Sequence, residues 1–134
     1  MIIIGAKEYG STQYIKSIIN SQKNIKFVSS LDYIRNCVSN NKKNIFVITG
    51  TSIGYYIDKK LLLYAKKNNI KSISVLDSWG NYEERFKHKN KLIVGDYIIV
   101  NDKENLNQLK KIGINNSKIF IGGNPILEEY SKKK

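Results

Sequence analysis

The sequence is short of several residue types, and each shortage narrows what the protein can be. One cysteine, Cys37, rules out an internal disulfide framework and fits a reducing compartment. Proline, tryptophan, histidine and methionine each occur once, and only Arg35 and Arg85 among the 23 basic residues are arginine. No apolar run is long enough to cross a bilayer, and the apolar residues of "MIIIGAKEYG" are too few for a signal-peptide core. The expectation is a cytoplasmic protein, peripheral membrane contact included. Acidic residues are also scarce, 11 against 23 basic ones, which leaves a net charge of +12.

What is present is ordinary for a globular chain. The 134 residues fit one domain, spanning residues 1–134, and the apolar and charged fractions are 41% and 25%. A chain of this length buries roughly two-thirds of its unfolded surface. The positive charge invites a nucleic-acid or anionic-membrane reading. However, the lysines are spread along the chain without interleaved aromatics, and no zinc-ligand spacing or RNA-binding signature accompanies them. A solvated surface is the simpler account. Nucleic acid is therefore not expected as a partner, and no metal or cofactor is expected.

Apolar β-branched runs alternate with amphipathic stretches. Strands are predicted at Ile2 to Ile4, "IKFVSS", "NIFVITG", "SISVLD", "DYIIVN" and "KIFIGG". Between them, "STQYIKSIINSQ" places Ile15, Ile18 and Ile19 on one helical face, with Ser11 as N-cap. "LDYIRNCVSNN" does the same with Leu31, Ile34, Cys37 and Val38 behind a Ser30 cap, which makes Cys37 a core thiol. A third helix runs roughly from Ile57 to Asn68. A fourth is capped by Asp102 and closed by Gly113, and a last one begins at Pro125. Continuous apolar strands separated by helices predict a three-layer α/β sheet of Rossmann-like type: six strands, parallel throughout, with the first strand central. Only Ser78 to Gly95, about 18 residues, breaks the alternation, and a connection that long is functional or partly helical.

In such a sheet, ligands bind beyond the carboxyl ends of the strands. Four polar segments leave those ends, and Gly5, Thr49, Asp77 and Gly122 should lie near one edge. "GAKEYGST" carries Gly5, Gly10 and Ser11 into a helix start, as a tight turn or a phosphate or sugar contact. It is neither GxGxxG nor a P-loop. "TGTSIG" offers Gly50, Thr51 and Ser52 for sugar or phosphate oxygens, or for helix capping. Gly123 and Asn124 form a turn or a ligand contact before Pro125.

The fourth segment, "DSWGNYEERF", gathers rare side chains. Either Trp79, Tyr82 and Phe86 pack on the sheet while Asp77 and Arg85 form an ion pair, or Asp77 and Asn81 bind polar ligand groups. In the second case Trp79 and Tyr82 form a stacking wall, and Arg85 meets a phosphate or carboxylate. His88, set among Lys87, Lys89 and Lys91, reads as a solvated loop residue more than a base.

The run "FVITGTSIG…DKKLLLYAKKNNIKSISVLDSWGNYEERF…DYIIVND…LKKIGINNSKIFIGGNPILEEY" resembles the N-terminal half of GT-B-type sugar-nucleotide proteins. These include bacterial glycosyltransferases of surface-polysaccharide synthesis and hydrolysing UDP-N-acetylglucosamine 2-epimerases. The resemblance covers residues 45 to 130, and residues 1 to 44 only in the glycine-loop start. It implies one half of a GT-B fold, acting on a nucleotide sugar or glycan acceptor, with Asp77 as the candidate catalytic group. A GT-B enzyme works between two such domains, whereas this sequence reaches only Lys134. A second catalytic chain or a homodimer would then complete the cleft. A non-catalytic nucleotide or sugar-phosphate binding module and a basic nucleic-acid or anionic-membrane binder are the alternatives.

Overall fold

The computed structural model describes residues 1–19 and 22–122. Six strands form one sheet: β1 (Ile2–Gly5), β2 (Ile25–Phe27), β3 (Phe46–Thr49), β4 (Lys71–Val75), β7 (Tyr97–Val100) and β8 (Ile119–Ile121). Their order is β2-β1-β3-β4-β7-β8, and every pairing is parallel. The helices are α1 (Tyr9–Ile18), α2 (Asp32–Ser39), α3 (Ile57–Lys67), α4 (Tyr82–Phe86) and α5 (Lys103–Lys111). This is a Rossmann-like α/β fold.

Alternation along each strand sends its side chains to two faces. Ile4, Ile48 and Val75 point to one face, where Tyr14, Ile15 and Ile19 cover them from α1 and its end. Ile3 and Val47 point to the other, under Ile34 of α2 and Leu61 and Ala65 of α3. On that second face, further along, Ile98 and Val100 pack with Leu109 of α5 and with Phe86 of α4. Helices therefore cover both faces, giving the three layers expected. Cys37 is buried in this arrangement, as its helical position predicted.

β1 is interior but not central: β2 and β3 flank it, and β3 and β4 hold the middle. The chain steps outward from β1 to β2 and then back past β1 to β3. The order reverses there, and a ligand crevice is expected beside such a reversal. The segment from Ser78 to Gly95 holds α4 and a small antiparallel pair, β5 (Lys87–His88) and β6 (Lys91–Leu92). It returns to the sheet through a close approach. A Cβ on Gly95 would lie 2.9 Å from the Ser74 nitrogen, and Asp96 accepts from the Ser72 amide at 2.9 Å.

Three helix starts differ from the sequence reading. α2 begins at Asp32 behind Leu31 and not behind a Ser30 cap, although the Ser30 hydroxyl accepts from the Asp32 amide at 3.4 Å. α1 begins at Tyr9 behind Glu8, so Ser11 is an internal helical residue and caps nothing. α3 follows Tyr56, and neither Thr51 nor Ser52 caps it. Asp102 does cap α5, accepting from the Asn105 amide at 2.9 Å, and Gly113 ends that helix at φ +98°. The helix expected at Pro125 lies outside the described residues.

Candidate functional site

The carboxyl ends of the strands meet along one edge. Gly5 pairs with Thr49, the Leu76 amide bonds to Ile99, and the Gly122 amide bonds to Val100. Gly5, Thr49, Asp77 and Gly122 thus share an edge, as expected. Two glycines there admit close contacts. A Cβ on Gly10 would fall 2.5 Å from Asp77 Oδ2, and one on Gly50 would fall 2.7 Å from Ser11 Cβ. Between them the buried Ser11 hydroxyl donates to Asp77 Oδ1 at 3.1 Å. The Ser78 hydroxyl donates to the same oxygen at 3.4 Å. Gly10 and Ser11 of α1, Gly50 after β3 and Asp77 after β4 are brought together. Gly5 is not part of that group: its bare face meets Leu61 of α3, where a Cβ would lie 2.9 Å from Cδ2.

Arg85 differs from both sequence readings. It is buried, and its Nη1 meets Glu8 Oε1 at 3.0 Å and the Thr51 carbonyl at 2.8 Å. Its ion pair is with Glu8 and not with Asp77. The other Glu8 oxygen accepts from the Ile53 amide at 3.1 Å, so one carboxylate ties the loop after β1 to the loop after β3. Arg85 Nε is buried with no hydrogen-bond partner. Through Nη1 this guanidinium braces the loops after β1 and β3.

Two further buried charged side chains back the same loop, each bonded to neutral groups. Asp58, fully buried, accepts from the Ser52 amide at 3.1 Å and from the Ser52 hydroxyl. Lys59 is also buried, and its Nζ donates to the carbonyls of Ser52 at 2.7 Å, Gly54 at 2.6 Å and Glu84 at 3.1 Å. Burial lowers the Lys59 pKa below the ordinary 10.5; Asp58 pushes it up, Arg85 down and Glu8 up. Thr51 donates to the Val75 carbonyl at 3.1 Å. Thr51 and Ser52 therefore spend their hydroxyls on the scaffold.

The remaining residues of "DSWGNYEERF" divide. Phe86 is core, and Tyr82 packs against it while its hydroxyl accepts from Asn105 at 3.1 Å. Trp79 is 44% exposed and donates from Nε1 to Asp102 at 2.9 Å. Asn81 is exposed and left-handed at φ +53°, a conformation asparagine tolerates, and it precedes α4. Trp79 and Asn81 are exposed, Tyr82 is half-buried and Arg85 is buried. Gly123 and Asn124 lie outside the described residues.

Glu8, Asp58 and Lys59 escaped the sequence reading. Lys59 looks like any other lysine in a lysine-rich chain, and only its burial distinguishes it. Among the described residues no group of three or more His, Cys, Asp or Glu side chains could hold a metal ion, and no helix is long and apolar enough to cross a membrane.

Chemically, the edge offers the carboxylate of Asp77, whose Oδ2 lies beside Gly10. Asp77 is half-buried, its Oδ1 is taken by two hydroxyls, and its Oδ2 accepts no hydrogen bond among the described residues. Such an oxygen can accept a hydrogen bond, or a proton, from a ligand hydroxyl. Comparison with protein families, with curated proteins and with solved structures finds no match. The Rossmann-like assignment accordingly rests on the sheet itself.

Proposed function

We propose that the chain is the acceptor-side module of a bacterial surface-glycan glycosyltransferase of GT-B type, completed by a partner chain or by a second copy. The observation that carries this reading is the Asp77 carboxylate, oriented by Ser11 and Ser78 through Oδ1, with Oδ2 accepting no hydrogen bond among the described residues. The sequence resemblance over residues 45 to 130 supports it. In the proposed reaction an acceptor hydroxyl attacks the anomeric carbon of a nucleotide sugar held by the partner. The new C–O bond forms as the bond to the nucleoside diphosphate breaks, and Asp77 takes the hydroxyl proton. Trp79 and Asn81 flank the acceptor, giving an apolar face and a polar contact. Ser11, with Gly10 and Gly50 beside it, fixes the carboxylate.

A second reading, a non-catalytic module of the same fold that binds a nucleotide or sugar phosphate, draws on Arg85. With that guanidinium committed to Glu8, Arg85 is not offered to assist a leaving phosphate. The two readings separate in one experiment: sugar transfer to a glycan acceptor, measured with the protein encoded beside this chain and with Asp77→Asn. The glycosyltransferase reading requires transfer by the wild type and a loss of at least about a hundredfold in the variant. Binding without transfer, unchanged by Asp77→Asn, would support the second reading instead.

A further inference from the structure

A groove of about 760 Å³ opens on the face covered by α2 and α3, beside the reversal of strand order between β1 and β3. Ala6 and Lys7 enter it from the end of β1, Ser29 and Ser30 from the end of β2, and Tyr55 and Tyr56 from the approach to α3. Asp77 is not among its lining residues.

The charge of the groove is lopsided. Lys7, Arg35, Lys60 and Lys67 line it against one carboxylate, Asp32. Lys60, Tyr64 and Lys67 recur at helical spacing along one side of α3, and Asp32 and Arg35 do so on α2. Among the described residues the ion pairs are Arg85–Glu8 and Lys87–Glu83, so none of the four groove cations is neutralised by one. Two of the four are placed over aromatic rings. Lys7 Nζ stands 5.3 Å from the Tyr56 ring centre and Lys60 Nζ stands 5.6 Å from that of Tyr55. Those rings have neighbours of their own. Tyr55 stacks on His88 at 4.0 Å, and Tyr56 lies over Gly54, where a Cβ would come 2.9 Å from the ring.

We propose that this groove is a binding site for a diphosphate group. Unpaired cations gathered in one concavity repel one another, and a compact multivalent anion relieves that repulsion more than a single charge does. Lysine ammoniums suit phosphate oxygens as point charges, and Arg35 adds a planar fork. The volume suits a small ligand and not an extended nucleic-acid backbone. Because the tyrosine faces already carry cations, the rings serve to hold charge and do not act as a platform for a stacked base. The proposal does not rest on glycosyl transfer, and neither Asp77 nor a partner chain enters it.

The test is calorimetric titration of the full chain with inorganic pyrophosphate, orthophosphate and UDP at about 0.15 M salt. Arg35→Ala/Lys60→Ala is measured beside a control, Lys42→Ala/Lys43→Ala, with a melting curve for each. Pyrophosphate is expected to bind at least about tenfold more tightly than orthophosphate, and the groove variant to weaken it by about tenfold or more while the control does not. UDP binding tighter than pyrophosphate identifies a nucleotide as the source of the diphosphate, and equal binding identifies a diphosphate on some other carrier. Pyrophosphate binding no tighter than orthophosphate, or equal weakening in the control, would overturn the proposal.

Discussion

The Arg85 guanidinium meets the Glu8 carboxylate at 3.0 Å across 77 positions of sequence, and the two ends of that contact differ in burial: 8% and 34% exposed. Removing either partner therefore has unequal consequences. Glu8→Ala strands a buried cation with only the Thr51 carbonyl for company, whereas Arg85→Met leaves a carboxylate that can turn to water. Breaking a buried pair costs roughly 3–5 kcal/mol, which partial exposure of Glu8 reduces to about 2 to 3 kcal/mol for Glu8→Ala. Arg85→Met is expected to cost less, and urea denaturation of both variants checks the order.

Lys59 should behave as a structural cation. Lys59→Met deprives three carbonyls of their donor and is expected to cost about 3 kcal/mol or more. Its pH dependence has a definite sign. Since burial lowers the folded pKa below 10.5, the unfolded chain holds this proton more firmly at alkaline pH. The stability of the wild type relative to Lys59→Met should therefore rise from neutral pH toward 10.5 and level off above it. Paired denaturation curves across that range measure the slope; a relative stability that falls with pH contradicts the burial account.

Gly10 gives a separation of stability from function. It lies in the first turn of α1, where alanine is intrinsically better by about 1 kcal/mol. Yet a Cβ there would lie 2.5 Å from Asp77 Oδ2 and must displace that carboxylate. Gly10→Ala should leave the melting temperature nearly unchanged, or raise it, while impairing whatever Asp77 does. A clear loss of stability would mean that Asp77 cannot move and is part of the packing.

The charge of +12, dispersed over the surface, predicts weak and non-specific binding to duplex DNA or RNA. Counterion release should make that binding collapse between low and physiological salt, steeply on a log–log plot. Sub-micromolar affinity with sequence preference at physiological salt, measured by anisotropy, would return nucleic acid as a partner.

The layers, the parallel strands and the shared edge were legible because they follow from local patterns. "FVIT" and "SISV" read as buried strands, and Asp102 and Gly113 bracket α5 as their chemistry dictates. Contacts between distant segments left no such trace. Ser11 looked like a cap because serine favours that place, but Glu8 starts α1, its own carboxylate held by Arg85 and by the Ile53 amide. The Ser11–Asp77 bond spans 66 positions, and nothing in either segment announces the other. Arg85 read as a ligand cation because arginine is rare here. Burial, which a single sequence does not display, made it a brace. The groove was missed for a related reason: its cations come from three separate places, the end of β1, α2 and α3, among many basic residues.

The strand edge divides into a brace around Arg85 and a carboxylate at Asp77 whose Oδ2 accepts no hydrogen bond among the described residues, and one paired measurement tests that division. Asp77→Asn and Arg85→Met are melted side by side, and both are assayed with the candidate partner chain for sugar transfer to a glycan acceptor. The account requires Asp77→Asn to melt close to the wild type and to lose transfer. It requires Arg85→Met to melt several degrees early, at roughly 4 °C per kcal/mol. An Asp77→Asn protein that melts as early as Arg85→Met while transferring sugar normally would contradict it.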